Sequence, residues 1–454
     1  MKDVLKRAAM FAGWLVCASV AHAQTATFVQ VNVNALGQDI VGDAANEPSI
    51  AVDPTNPNRM AIGWRQFNTT ASNFREAGVA YTTNGGQTWT ASVLQPGQFR
   101  SDPVLRSDAN GNFYYASLNS ATAINVFRST NGGASWSVPA FAFGGDKEWI
   151  AIDTTNGPGR GNIYHNWNVQ FSTVPNASFT RSTNGGASFE NPTTGPFPYS
   201  RGGQLAVGPN GTLYSGGSTL DHSAHVFAKS TNAQFAAQTP TFTGQIVSLG
   251  GTESLGTPEV NPVGLLGQTS IQAAPNGNLY MLQSVDPPGI DPLDVMFIRS
   301  TDDGNTWSTP VRVNNNPVGE PTYQWFGTMS VAPNGRIDAI WNDTIVTTHN
   351  QFSVVKYAYS LDDGLTWLGN IALTPQFNHS LGFPNQQKIG DYYDMVSDDT
   401  GASLAFAATF TGGQDVYYMR ITAVPEPTFA GLAMGGAMTA MCVRGRRQRL
   451  PLNR

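Results

Sequence analysis

The sequence predicts an all-β chain folded as a seven-bladed β-propeller of four-stranded antiparallel blades. Three observations carry that reading. A tight-turn motif recurs five times, a hairpin pattern recurs seven times, and the composition is rich in Gly but only 12% charged. Such a loop-rich composition suits short strands joined by many turns.

The turn motif reads Ser/Thr-x-Asn/Asp-x-Gly-x-Ser/Thr-Trp/Phe. It runs from Thr82 to Trp89 and returns at Ser129–Trp136, Ser182–Phe189, Ser300–Trp307 and Ser360–Trp367. A decayed copy begins at Ser230-Thr231-Asn232 and lacks the glycines. The Asn or Asp side chain can accept hydrogen bonds from backbone N–H groups of its own turn. The glycine supplies a positive φ that a side chain would resist. Local bonding of this kind accounts for Asn84 and Asp302 without a catalytic role.

Between these motifs lies a second pattern. Pro48–Val52 leads through a Pro/Asn turn to Met60–Trp64, and variants begin near Pro103, Ile150, Gln204, Ser270, Thr328 and Tyr393. Several carry Asn-Gly at the turn, as at Asn110-Gly111, Asn210-Gly211, Asn276-Gly277 and Asn334-Gly335. That dipeptide between apolar runs is a strong hairpin signal. Each repeat is therefore hairpin, strand, turn motif, strand, which is one propeller blade. The seventh hairpin is followed by Val416–Ile421 but by no turn motif. The alternating segment Thr27–Val33 is free to supply the missing strand and close the ring, removing two exposed edges. A six-bladed ring is the alternative if one hairpin is an insertion.

The ends read differently. Lys2, Lys6 and Arg7 precede an apolar stretch, Ala8–Val20, and Ala21-His22-Ala23 offers small residues for signal peptidase. Residues 1–23 are expected to be a signal peptide, with the propeller spanning 24–423. At the other end Val424-Pro425-Glu426-Pro427 precedes an apolar run, Phe429–Val443, and then Arg444, Arg446, Arg447 and Arg449. The arginines would stay on the cytoplasmic side of a membrane. This order resembles the PEP-CTERM sorting signal of Gram-negative bacteria. The resemblance implies recognition and cutting by an exosortase, a membrane contact through 429–443, and delivery to the envelope surface or an exopolysaccharide matrix; an ordinary tail anchor is the alternative for 424–454. The two cysteines, Cys17 and Cys442, both fall in these terminal segments, so the mature domain is expected to lack thiol chemistry. The net charge of -6 and the absence of a basic stripe outside the tails argue against nucleic acid as a partner.

The repeated turn motifs are those of Asp boxes, and the chain resembles the sialidase-like superfamily of propellers built from them. In such rings the Asp boxes join third and fourth strands on one face, and the first-hairpin turns share that face. Ligands usually sit at the opposite mouth, near the axis. Segments entering the innermost strands should line it, and here they are polar: Asn46-Glu47, Arg100-Ser101-Asp102, Asp146-Lys147-Glu148-Trp149, Arg201, Tyr323-Gln324-Trp325 and Lys388–Tyr392. Segments leaving the second strands add Trp64-Arg65, His165-Asn166-Trp167 and Trp341-Asn342-Asp343. Carboxylates, cations and tryptophans at one mouth suit a sugar. Trp64, Trp149 and Trp325 could stack on it, and Arg65, Arg100, Arg201 and Lys388 could bond it. A set of ion pairs that merely closes the central channel would give the same residue types.

A sialidase also needs arginines for the substrate carboxylate and a tyrosine nucleophile with acidic partners. Arg65, Arg75, Arg100 and Arg201 are the arginines available. Tyr392 or Tyr323 is the candidate nucleophile, and Glu47, Asp102, Asp146, Glu148 and Asp391 are the candidate acids or bases. The Arg-Ile-Pro type of signature at the first blade is missing; Asn46-Glu47-Pro48-Ser49-Ile50 stands there. The sialidase residues therefore do not transfer. No cofactor or metal motif is present; Asp221-His222-Ser223-Ala224-His225 reads as a surface turn, its histidines on opposite faces if extended. Two functions remain open: a surface glycan-binding propeller, with glycoside hydrolase or lyase chemistry as a possible addition, or a non-catalytic structural or protein-binding propeller of the envelope.

Overall fold

The computed structural model describes residues 27–196, 200, 201, 203–345 and 349–422. The expected signal peptide, the sorting segment and both cysteines lie outside the described residues. Among those residues no helix is long and apolar enough to cross a membrane.

The chain forms seven antiparallel sheets in sequence order around an axis, so the seven-bladed reading holds and the six-bladed alternative does not. Blade 1 is Ala44–Val52, Met60–Phe67, Glu76–Thr82 and Thr90–Leu94, from the axis outward. The innermost strands of blades 2 to 7 are Ser101–Ser107, Trp149–Ile152, Leu205–Val207, Ser270–Ala273, Gln324–Val331 and Asp394–Asp398. Burial follows the strand order. The two inner strands of blade 1 are almost wholly buried, whereas Thr90–Leu94 alternates between exposed and covered residues. A strand with neighbours on both faces needs apolar or small side chains throughout.

Blade 7 is completed from the other end of the chain. Phe28–Gln30 pairs with Asp415–Thr422, with Phe28 opposite Met419 and Gln30 opposite Tyr417. The Phe28 ring stacks on Phe410 at 4.7 Å and meets Tyr417 edge-on at 5.6 Å. Asn32 donates to Asp415 Oδ1 at 2.9 Å and accepts from the Val416 N–H at 2.9 Å, joining residues 383 positions apart.

The Asp boxes staple neighbouring blades. In blade 1 the Thr82 hydroxyl donates to Asn84 Oδ1 at 2.8 Å, the Thr88 N–H donates to the same oxygen at 3.1 Å, and Trp89 Nε1 donates to the Gly86 carbonyl at 3.1 Å. Gly86, at φ +85°, lies directly against Tyr418 of blade 7, and the Trp89 ring is 5.3 Å from that of Tyr418. Trp307 on Phe227 and Trp367 on Phe297 repeat the contact across other blade boundaries, while Trp136 meets Tyr115 of its own blade. The motif that marks the repeat in sequence is thus also the inter-blade joint.

Residues from all seven innermost strands line an axial channel of ≈ 320 Å³. At the end away from the Asp boxes, the long connection between blades 4 and 5 crosses the ring. Its Asn261 accepts from the Ile389 N–H at 2.9 Å and donates to the Gly390 carbonyl at 2.8 Å, and its Leu265 N–H donates to Asp391 at 2.9 Å. This crossover covers the side of the mouth formed by blades 5 to 7.

Candidate functional site

Three innermost strands open with the same irregularity. Pairing slips between Asn46 and Ser49, between Ser101 and Val104, and between Trp325 and Thr328. Inside each slip one residue takes a left-handed conformation: Glu47 at φ +52°, Asp102 at +48° and Phe326 at +61°. A β-bulge of this kind bends the strand and re-aims a side chain. Pro48 and Pro103 follow the first two, where a lost ladder position makes a missing N–H harmless. Lys147, just before the blade 3 strand, is also left-handed at φ +64°. Such residues cost about 1–3 kcal/mol each and cluster where structure serves function.

These distortions bring charges from blades 1, 2, 3 and 7 together. Glu47 faces Arg65 Nε at 3.1 Å and Lys388 Nζ at 3.0 Å. Asp391 meets Lys388 at 2.7 Å and Lys147 at 2.6 Å. Lys147 also reaches Asp102 at 3.6 Å and Asp146 at 3.7 Å. Behind them Arg65 donates to Asn46 Oδ1 at 2.8 Å, Asn46 donates to Gln414 at 2.8 Å, and Gln414 donates to the Lys388 carbonyl at 3.0 Å. Gly390, at φ +114°, backs onto Glu47; a Cβ there would lie 2.7 Å from Glu47 Cγ.

The surroundings separate the carboxyls. Burial pushes Glu47 up to about 7, against the pull of Arg65 and Lys388. Burial acts on Asp391 too, but Lys147 and Lys388 hold it well below the usual range. Asp102 is likewise held down by Lys147, Arg65 and Lys388 despite burial. Asp146 is raised, chiefly by burial. Glu148 is raised well above its ordinary value by burial and by Asp102, and neither of its oxygens has a hydrogen-bond partner in another residue among those described.

Beside the cluster opens a pocket of ≈ 190 Å³. Arg65, Arg75, Lys147 and Lys388 bring four cations to its lining, Asp102 and Asp146 bring two carboxylates, and Phe99, Leu118 and Ala121 form an apolar wall. Arg65 is 1% exposed and its Nη2 has no hydrogen-bond partner among the described residues. Arg75 stacks over Phe99 at 4.7 Å and donates to Ser101 at 2.8 Å.

The expected site residues therefore divide. Glu47, Arg65, Asp102, Asp146, Lys388 and Asp391 converge, with Lys147 at their centre. Glu148 and Tyr392 are buried alongside. Tyr392 does not suit a nucleophile: its hydroxyl donates to the Pro103 carbonyl at 2.8 Å, and burial together with Glu47, Asp102 and Glu148 pushes its proton loss well above 10. The tryptophans are core residues, not platforms for a sugar. Trp64, Trp149 and Trp325 are at most 2% exposed, and their indole N–H groups donate to Gln66, Gln268 and Ser353. Arg100 turns outward to Asn125 and lies over Phe127. Arg201 forms a separate group with His222 and Glu253, at 3.0 and 3.6 Å. His222 occupies the expected turn, but His225 is fully buried at the start of a strand. Gln386, Phe99 and the Asn261 crossover had no signal in the residue pattern.

No family model and no curated protein matches the chain. Several solved structures are similar to it. The phage phi92 endosialidase is 10% identical, over 89% of this chain and 70% of that one, with a TM-score of 0.48. A polysaccharide lyase of family PL25, an ulvan lyase, is 10% identical over 84% and 94%, at 0.47. An α-L-arabinofuranosidase of Fusarium graminearum is 11% identical over 88% and 98%, also at 0.47. Likenesses this distant bear on overall shape alone, and the blade count rests on the hydrogen-bonded ladders.

Chemically, the pocket sets four cations, three of them ion-paired with Glu47, Asp102, Asp146 and Asp391, beside a small apolar wall. It can hold a small anionic group against the partly exposed Arg75 while a hydrophobic face rests on Phe99 and Leu118. Asp102 and Asp146, one depressed and one raised, are the carboxyls that reach the same space.

Proposed function

We propose that the chain is an exported propeller, held at the cell envelope or in its matrix, that binds acidic extracellular polysaccharide in the pocket over blades 1 to 3. The observation that carries this reading is the lining of four cations against two carboxylates. Guanidinium groups recognise carboxylate and sulfate oxygens in pairs, so uronic acids and sulfated sugars are the ligand chemistry. Export rests on residues 1–23. Retention rests on the Pro-Glu-Pro, apolar and arginine segments of 424–454, with an exosortase as the processing partner.

Glycoside cleavage is a second reading, favoured by one feature. Asp146 is raised and Asp102 depressed at the same pocket, the division that an acid and a base require. A purely structural or protein-binding propeller is the remaining alternative.

The test is a panel of immobilised uronate-bearing, sulfated and neutral polysaccharides probed with the 24–423 propeller, alongside fluorogenic glycosides. Acidic polymers should be retained, neutral ones not, and Arg75→Met at the pocket rim should weaken retention. Equal retention of neutral polymers, or none of any kind, defeats the proposal. Turnover that disappears in Asp146→Asn would add catalysis to binding.

A further inference from the structure

We infer that the seam closing the ring is a proton-dependent latch. The segment Phe28–Asp43 stays on blade 7 while the carboxyls gathered there keep their protons, and it lets go as the pH rises, with the innermost strands left in place.

Three acids collect where the N-terminal segment passes from blade 7 to blade 1. Asp39, paired with Val33, accepts from Gln30 Nε2 at 2.8 Å. Asp415, the first residue of the last strand, accepts from Asn32 Nδ2 at 2.9 Å and from the Thr411 hydroxyl. Asp43 accepts from Gln66 Nε2 at 2.8 Å, and Asn32 bonds it as well. Asp43 is 4% exposed and Asp415 1%. No ion pair among the described residues includes any of the three. The groups around them bring no positive charge. Tyr417 is held as the phenol by burial and by the charges of Asp415 and Asp39. On blade 1, Trp64 Nε1 donates to Gln66 at 2.7 Å, and Glu76 accepts from Asn68 at 2.6 Å. Gln414, next to Asp415, donates to the Lys388 carbonyl at 3.0 Å, but the Lys388 ammonium is taken by Glu47 and Asp391.

Carboxylates crowded together away from water and without a cation cannot all ionise. Burial, with the charges of Asp415 and Asp39 behind it, pushes Asp43 up to about 7 against the hydrogen bonds from Gln66 and Asn32. Burial raises Asp415 too, and Asp39 adds to it. Off the blade, Asp43 returns to water and to a value near 3.9. Attachment therefore has the full benefit of the proton below that value and loses it as the pH climbs to about 7. Between the two, the released fraction grows about tenfold per pH unit for each proton given up.

Release stays local because other contacts hold blade 7 to blade 1. Ser49 donates to Asp394 at 2.6 Å, and the Trp89 ring lies 5.3 Å from that of Tyr418. The segment itself is lightly held. Leu36 and Val41 are 81% and 93% exposed, and Phe28 and Val31 are its apolar anchors.

Amide hydrogen exchange in the full chain, read by mass spectrometry from pH 5 to pH 8 and corrected for the intrinsic rate at each pH, tests the latch. Peptides covering 28–43 and 415–422 should lose protection by about tenfold per unit up to pH 7 and then level off. Those from the innermost strands of blades 3 to 5 should change far less. Asp43→Asn should flatten the fall at the seam. Asp39→Asn, at a half-buried position where the fold is not at risk, should shrink it. Seam protection that does not vary with pH, a fall shared equally by every blade, or an unchanged fall in Asp39→Asn overturns the latch.

Discussion

Replacing Glu148 by glutamine removes one ionisable proton and almost nothing of the side chain's shape. In the folded chain, burial and Asp102 hold this carboxyl well above its ordinary value. Unfolded, it would lose its proton near pH 4.3. Between those two values the folded state keeps a proton that the unfolded state has released. The contribution to stability is therefore complete at low pH and is lost as pH rises toward the folded value. The slope is about 1.4 kcal/mol per pH unit inside that window. Glu148 is 2% exposed, so solvent screening does not reduce the figure appreciably. Urea unfolding of the 24–423 propeller, wild type and Glu148→Gln, at one-unit steps from pH 5 to pH 8 measures it. The two should be close at the acid end, and the variant should gain on the wild type by about that slope as pH rises. The depressed carboxyls, Asp102 and Asp391, lose stability in the opposite direction, as pH falls, and largely cancel between the two proteins. Parallel profiles would mean that Glu148 is ionised and paired in the folded chain, and the electrostatic account of the cluster would be wrong.

Lys388→Met strands Glu47 and Asp391 with one fewer cation each. Loss of a partner from a buried pair should cost about 3–5 kcal/mol in urea unfolding, and adding Glu47→Gln should recover part of it. Gly390→Ala forces a left-handed residue against Glu47 and should cost about 2 kcal/mol or more, visible as a lowered melting temperature. Removing residues 24–33 exposes the Asp415–Thr422 edge; size-exclusion chromatography should show association, and a monomer with an unchanged melting temperature would contradict the closure.

The residue pattern disclosed the architecture well because the same local chemistry recurs. Each Asn/Gly/Trp turn and each hairpin is a short-range event, and counting them yields the blades and even the missing strand at Thr27–Val33. The mouth was legible at Glu47, Arg65, Asp102, Asp146, Lys388 and Asp391, since positions entering and leaving the inner strands follow from the repeat. Orientation was not legible. Whether Arg100 turns inward depends on Asn125 and Phe127, which are distant in sequence. The tryptophans were misjudged because a wide blade end needs large core side chains as much as a sugar site needs platforms. The crossover through Asn261 carries no repeat signal at all, being a single insertion held by hydrogen bonds to residues some 130 positions later.

The pairing of Phe28–Gln30 with Asp415–Thr422 has a consequence for biogenesis. The first blade-forming strand to leave the ribosome belongs to the last sheet to be made, so the ring stays open until nearly the whole chain has been synthesised. Joining ends 383 positions apart costs only about 2 kcal/mol more than closing a loop of one blade, so equilibrium is scarcely affected. Time is affected far more. Blades 1 to 6 can assemble while Phe28 and its neighbours wait beside an unfinished edge, and such a delay is the interval in which a folding helper would matter most.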